Sequence, residues 1–334
     1  MRIPRRRLRS DEEGVASTVG TMMALLVFLT FLSLITNQYV PVWMKDSESS
    51  HMNTALGQFG MLKGAIDLQN LAAQTAGADY MPVTAASAVT LGIDGVPIFA
   101  SPTAGTLSSN PDAGGFTVTF DYRIPTPSGG DLPMRVREQA NGSIALDVAN
   151  RYDVPQTLVY ENGAVIRAQR DGQIVRAPPT FLVSEVNGTL QVRLDLVSLY
   201  GGGAVSGTST EVVNTRLFAT DLQTYDRFPD DAVMWVNLTS EHGLAWYHFL
   251  NATLADSLDL TGTYVYTPLD QSYTARLGGS VVYKVSVSFV PATGRYVTRL
   301  ELHNNPGVMG LGSIRVRHAQ VQVGIGEAPE DTLK

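Results

Sequence analysis

The chain has 334 residues, a net charge of −7 and no cysteine. Disulfides, thiolate metal sites and cysteine nucleophiles are thereby excluded, and the fold must rest on an apolar core, which a chain of this length can build. The charge is uneven: residues 1–13 hold five Arg and three acids, which leaves 19 basic (24 less 5) against 28 acidic side chains (31 less 3) in the rest. An acidic body argues against nucleic acid as a partner, because phosphate binding requires a basic patch.

Residues 1–13 read as a basic cytoplasmic leader containing Arg2, Arg5, Arg6, Arg7 and Arg9. Residues 14–44 contain no charged side chain, and about 20 apolar residues suffice to cross a bilayer as a helix. A buried helix of a soluble protein rarely runs this long without charge. A cleaved secretory signal has a shorter apolar core and a small-x-small site, which residues 37–41 do not offer. The expectation is one transmembrane helix, its N-terminus held in the cytoplasm by the arginines and everything after Met44 outside the plasma membrane. Tyr39 and Trp43 fall at the far end, where amphipathic rings favour the headgroups. Pro41 lacks a backbone donor and is expected to kink or end the helix.

Residues 45–78 resume a helical pattern. Met52, Leu56, Phe59, Leu62 and Ile66 recur at steps of three and four, which makes an apolar stripe; Lys45, Asp46, Glu48 and Lys63 are read as lying off it. The stripe suits packing either on the ectodomain or against neighbouring subunits. Gly77 marks the stop.

The stretch Gly14-Val15-Ala16-Ser17-Thr18-Val19-Gly20 ahead of the apolar run resembles the start of archaeal type IV pilin-like proteins. Residues 38–43, His51-Met52 and residues 156–166 are similar to uncharacterised archaeal single-span surface proteins. The resemblance implies a prepilin peptidase that cuts after Gly14 to leave Val15 at the N-terminus, and self-assembly or assembly with other pilin-like subunits. Two departures are visible: Asp11-Glu12-Glu13 stands where the family carries basic residues, and the fifth mature position is Val19, not glutamate.

Residues 79–325 change grammar, from helical periodicity to short alternating runs broken by turn residues. Asp94-Gly95, Asn141-Gly142, Asn162-Gly163, Asp171-Gly172 and Asn187-Gly188 are dipeptides that accept the positive φ of tight hairpins. Residues 156–161, 164–169, 174–177, 181–186 and 189–199 are expected to form a meander of about five strands. Gly201–Gly207 offers a boundary between two β subdomains. Further strands are expected at 211–220, 232–238, 263–267, 280–290, 295–302 and 313–324, with a short helix at 244–254 and a loose polar tail at 326–334. The fold class expected is α+β, mostly β: a transmembrane helix, an amphipathic helix, then an antiparallel sandwich-like ectodomain.

Asn141, Asn187, Asn237 and Asn251 each begin a glycosylation sequon. Two of them also sit in predicted turns. Chemistry-bearing groups are sparse. His242 and His248 are six apart, which does not make an i, i+4 metal pair; no Gly-x-Ser-x-Gly elbow is present. Asp221, Asp226, Asp230 and Asp231 form an acidic turn whose oxygens suit Ca²⁺ or simple solvation. Trp235, Trp246 and Tyr247 suit either a sugar platform or a core. No catalytic residue, metal or cofactor is expected. The leading reading is a membrane-anchored structural surface protein, with the lipid bilayer as its first partner. A monomeric anchored adhesion module for a glycan or protein, and a membrane-tethered hydrolase, remain open.

Overall fold

The computed structural model describes residues 9–327 apart from 97–98, 259 and 261–262, with side chains from Ala16 onward. The leader up to residue 8 and the tail from 328 lie outside the described residues. The architecture is α+β, mostly β: a long apolar N-terminal helix followed by a large, mainly antiparallel β domain.

The helix is one rod. α1 (Arg9–Leu34) passes through a π turn (Ile35–Tyr39) into α2 (Val40–Ala76). Of the two outcomes expected at Pro41, a kink or an end, the end does not occur. The Val40 N–H bonds the Ile35 carbonyl, five residues back, and Pro41 then occupies the first turn of α2, where a missing donor is tolerated. Gly77 closes the helix at φ 56°, a backbone setting that glycine adopts without a Cβ penalty.

Eighteen strands follow among the described residues. In chain order they are β1 (Thr84–Thr90), β2 (Gly105–Asn110), β3 (Gly115–Pro125), β4 (Asp131–Ala140), β5 (Ser143–Val148), β6 (Gln156–Glu161), β7 (Ala164–Gln169), β8 (Gly172–Ala177) and β9 (Phe181–Val186). The second half holds β10 (Thr189–Tyr200), β11 (Gly203–Gly207), β12 (Thr210–Tyr225), β13 (Val233–Ser240), β14 (Thr263–Thr267), β15 (Ser272–Leu277), β16 (Ser280–Val290), β17 (Arg295–His303) and β18 (Gly310–Ile325). Helix α3 (Gly243–Leu258) follows β13.

These strands form three sheets, ordered β1-β12-β18-β10-β9, β11-β2-β5-β6-β7-β8 and β14-β15-β16-β17-β13-β3-β4. The predicted hairpins at Asn162-Gly163 and Asn187-Gly188 form in the expected register, with both asparagines at positive φ. The five-strand meander does not stay together. β6, β7 and β8 belong to the six-stranded sheet, and β9 and β10 to the five-stranded one. Pro178-Pro179 separates β8 from β9, and two residues without N–H donors cannot continue a ladder. Gly201–Gly207 does not divide the sheet either, because β10 before it and β12 after it both pair with β18.

Two cores hold the layers together. One joins the seven-stranded sheet, α3 and one face of the five-stranded sheet. The other joins the opposite face of that sheet, the six-stranded sheet and α2. β6 serves both: Val159 faces the first core, and Leu158 and Tyr160 the second. That double burial explains the unbroken apolar run at 158–160, which simple alternation would not produce.

Candidate functional site: the anchoring helix and its clasp

The lower part of the rod is chemically suited to lipid. One helix, Ala16–Asp79, is long and apolar enough to cross a membrane, and the most apolar stretch of it is wholly uncovered by the rest of the protein. Four of its polar side chains bond back within the helix. Thr21 donates to the Ser17 carbonyl at 3.2 Å, Thr30 to Leu26 at 2.7 Å, Thr36 to Leu32 at 2.8 Å, and the Asn37 amide to Ser33 at 2.9 Å. Such back-bonding removes the penalty for placing these groups where water is absent. Tyr39 and Trp43 pack with ring centroids 6.0 Å apart on the exposed side, just before Lys45, the first charge after the apolar run.

Above this point the helix docks on its own β domain. Met52, Phe59, Leu62 and Ile66 are fully buried in the second core, and Leu56 packs at its margin. The predicted stripe is therefore occupied inside the chain and does not face a neighbouring subunit. Burying such a side chain stabilises by about 1.5–3 kcal/mol, so the helix is an integral wall of the domain.

Polar groups fix the register. Glu48, on the same face and fully buried, accepts the Thr103 hydroxyl at 2.7 Å and the backbone N–H groups of Arg151, Tyr152 and Asp153 at 3.0, 2.8 and 2.7 Å. Burial pushes the Glu48 carboxyl up, but the hydrogen bonds from Arg151, Asp153, Thr103 and Tyr152 outweigh it and hold the pKa below the ordinary carboxylate range. Farther along, His51 Nε2 donates to the Thr90 carbonyl at 2.9 Å, and Gln58 Oε1 accepts the Thr90 N–H at 2.9 Å. Gln69 bonds the Thr215 carbonyl and the Leu217 N–H, each at 2.9 Å. These side chains cover the open edge of β1 and the bulge of β12, where ladder partners are lacking. Sequence reading placed Glu48 off the stripe; it sits four residues before Met52. Glu48 and Gln69 extend the stripe at both ends by the same steps, which is the signal that could have found them.

Gly14 and Val15 fall within α1, and the Val15 side chain lies outside what the structure describes. The four sequons differ sharply. Asn187 is exposed in an open turn and Asn141 is exposed between β4 and β5. Asn237 lies on a central strand, where its side-chain oxygen accepts Arg299 Nε at 2.9 Å. Asn251 lies within α3 and accepts the Tyr264 hydroxyl at 2.7 Å.

The residues considered for chemistry are not assembled. His242 turns inward and His248 faces solvent. Asp221 stands opposite His318 in the β12–β18 ladder, away from the loop that carries Asp226 and Asp230. Among the described residues no group of three or more His, Asp or Glu could hold a metal ion. Trp246 and Tyr247 are buried and cannot offer a sugar platform. The exposed aromatic cluster is elsewhere: Tyr264 and Tyr266 of the edge strand β14 group around Tyr273 at 5.3 and 4.8 Å. The most perturbed carboxyl outside the helix is Glu161, fully enclosed, which accepts Ser240 Oγ at 2.8 Å and Trp246 Nε1 at 3.0 Å. Burial drives its pKa to about 7 in spite of those two donors. It ties β6 to β13 and α3 with no described cleft leading to it.

Comparison with protein-family models, with curated proteins and with solved structures gives no match.

Proposed function

We propose that this chain is a membrane-anchored, pilin-like structural protein of the cell surface, with the leader in the cytoplasm and the β domain outside the plasma membrane. The observation that carries the reading is the continuity of the rod. A single helix supplies both a lipid-suited span and a wall of the folded domain, so force or assembly at one end is transmitted directly to the other. The mechanism is packing. The apolar helix resides in the bilayer and, if the leader is removed after Gly14, can transfer into an assembly of like helices, since both surroundings bury apolar side chains.

The contact face on the outer part of the rod is the side opposite the stripe. Gly57, Gly60 and Gly64 have open space around them, and Met61, Leu68 and Leu71 are exposed between and beyond them. Small residues let helices approach closely, and these glycines gain nothing within the chain to offset their helix cost of about 1 kcal/mol each.

The test uses the absence of native cysteine. Met61→Cys and Leu68→Cys, oxidised in native membranes, are expected to give cross-linked dimers. Monomers only, together with a mature N-terminus still carrying Arg5, Arg6 and Arg7 by mass spectrometry, would overturn the assembly reading. An anchored adhesion module would then lead, with the exposed Tyr264 and Tyr266 cluster as its contact surface.

A further inference from the structure

The five-stranded sheet is covered by α2 over only part of its outer face. Under the helix lie Val197 and Leu199 of β10 and Ala319, Val321 and Val323 of β18. Toward the other end of the same two strands these apolar side chains give way to Arg193 and Asp195, and to Arg315 and Arg317. Leu182 on one side and Leu222 on the other are both exposed, so this end of the face is open.

The parallel register sets Arg193 beside Arg315 and Asp195 beside Arg317. Like charges directly across a ladder are destabilising. Asp195 pairs with Arg317 at 3.4 Å and also attracts Arg193. Arg193 and Arg315 have no hydrogen bond or ion pair among the described residues. Arg317 is 5% exposed, and its Nε and Nη2, like Nε of Arg193, have neither solvent nor a protein acceptor. From α2, Asp67 approaches the group but is engaged by Lys63 at 2.6 Å. Three guanidinium groups and one carboxylate thus leave an excess of two positive charges and several unused N–H donors, on a chain whose net charge is −7.

We propose that this end of the sheet binds an oxyanion of the sulfate or phosphate class, held between the forks of Arg193 and Arg315 with Arg317 supplying charge from behind. Planar guanidinium pairs match tetrahedral and carboxylate oxygens in a bidentate manner, and a dianion balances the excess. The same chemistry is carried by free inorganic ions and by the ionised groups of acidic polysaccharides.

The test is the melting temperature of the full chain in neutral detergent, titrated with sodium sulfate against sodium chloride at matched ionic strength. Sulfate raises melting temperatures unspecifically by exclusion, so the comparison is with Arg193→Gln/Arg315→Gln. The wild type is expected to show a saturable rise. The double variant is expected to bind about tenfold more weakly or worse, the loss that follows removal of charge-assisted hydrogen bonds. In chloride alone it should melt no lower than the wild type, because two facing cations are gone. Dextran sulfate against neutral dextran separates the sources: saturation by the polymer alone assigns the site to an acidic polysaccharide, and saturation by sulfate assigns it to the free ion class. Equal responses of wild type and variant to both probes, or a variant that melts lower in chloride, would overturn the proposal.

Discussion

Replacing Glu161 by Gln isolates a single buried proton. The carboxyl is closed off from solvent, and its pKa rises from an ordinary 4.5 to about 7 because burial penalises its charge more than Ser240 and Trp246 favour it. In the unfolded chain it ionises near 4.5, so between these values the folded protein holds a proton that the unfolded chain has released. This contribution to stability is therefore complete below pH 4.5, falls as pH rises, and is gone above about 7. At about 1.36 kcal/mol per pH unit the interval is worth about 3 kcal/mol. His242 works in the opposite sense: burial lowers its pKa, so its contribution is present above 6.5 and lost as pH falls. The wild-type profile alone is thus a net of opposing slopes, and the difference between wild type and Glu161→Gln removes everything but Glu161. Urea unfolding in neutral detergent, followed by tryptophan fluorescence between pH 4 and 8, measures that difference. Glu161→Gln should gain about 3 kcal/mol on the wild type between about pH 4.5 and 7. Parallel profiles would show that Glu161 is not enclosed as described.

Three further outcomes follow from the helix and the sequons. Glu48→Ala leaves four donors without an acceptor at a buried position and should destabilise the domain by about 3–5 kcal/mol; proteolysis should then open the segment at residues 149–155 first. Because the Glu48 pKa is lowered, its contribution is present above pH 4.5 and lost as pH falls through the folded value, so the wild-type clasp should loosen in acid and the variant should not respond. Leu62→Ala removes a fully buried side chain from the helix–sheet core and should cost about 2–5 kcal/mol by urea unfolding. Intact mass of protein from a glycosylating host should show modification at Asn187 in its open turn, and none at Asn237 or Asn251, whose amides are held by Arg299 and Tyr264.

The sequence by itself determined the features that depend on local chemistry. A charge-free run of 31 residues makes an apolar helix long enough to cross a bilayer. The strand at 156–161, its Asn162-Gly163 turn and the strand at 164–169 follow from alternation and from the positive φ that asparagine and glycine accept. The helical stripe from Met52 to Ile66 was visible for the same reason. Its partner was not, because periodicity identifies a buried face without saying what buries it. Only the tertiary structure decided that the face closes on the chain's own sheets. It also decided that a charged Glu48 belongs to that face, since three backbone N–H groups from a loop about a hundred residues away compensate its burial. The switch of sheets after Pro178-Pro179 and the parallel pairing of β10 with β18 are likewise contacts between distant segments. That pairing sets Arg193 beside Arg315, residues 122 positions apart, and no local pattern could have brought them together.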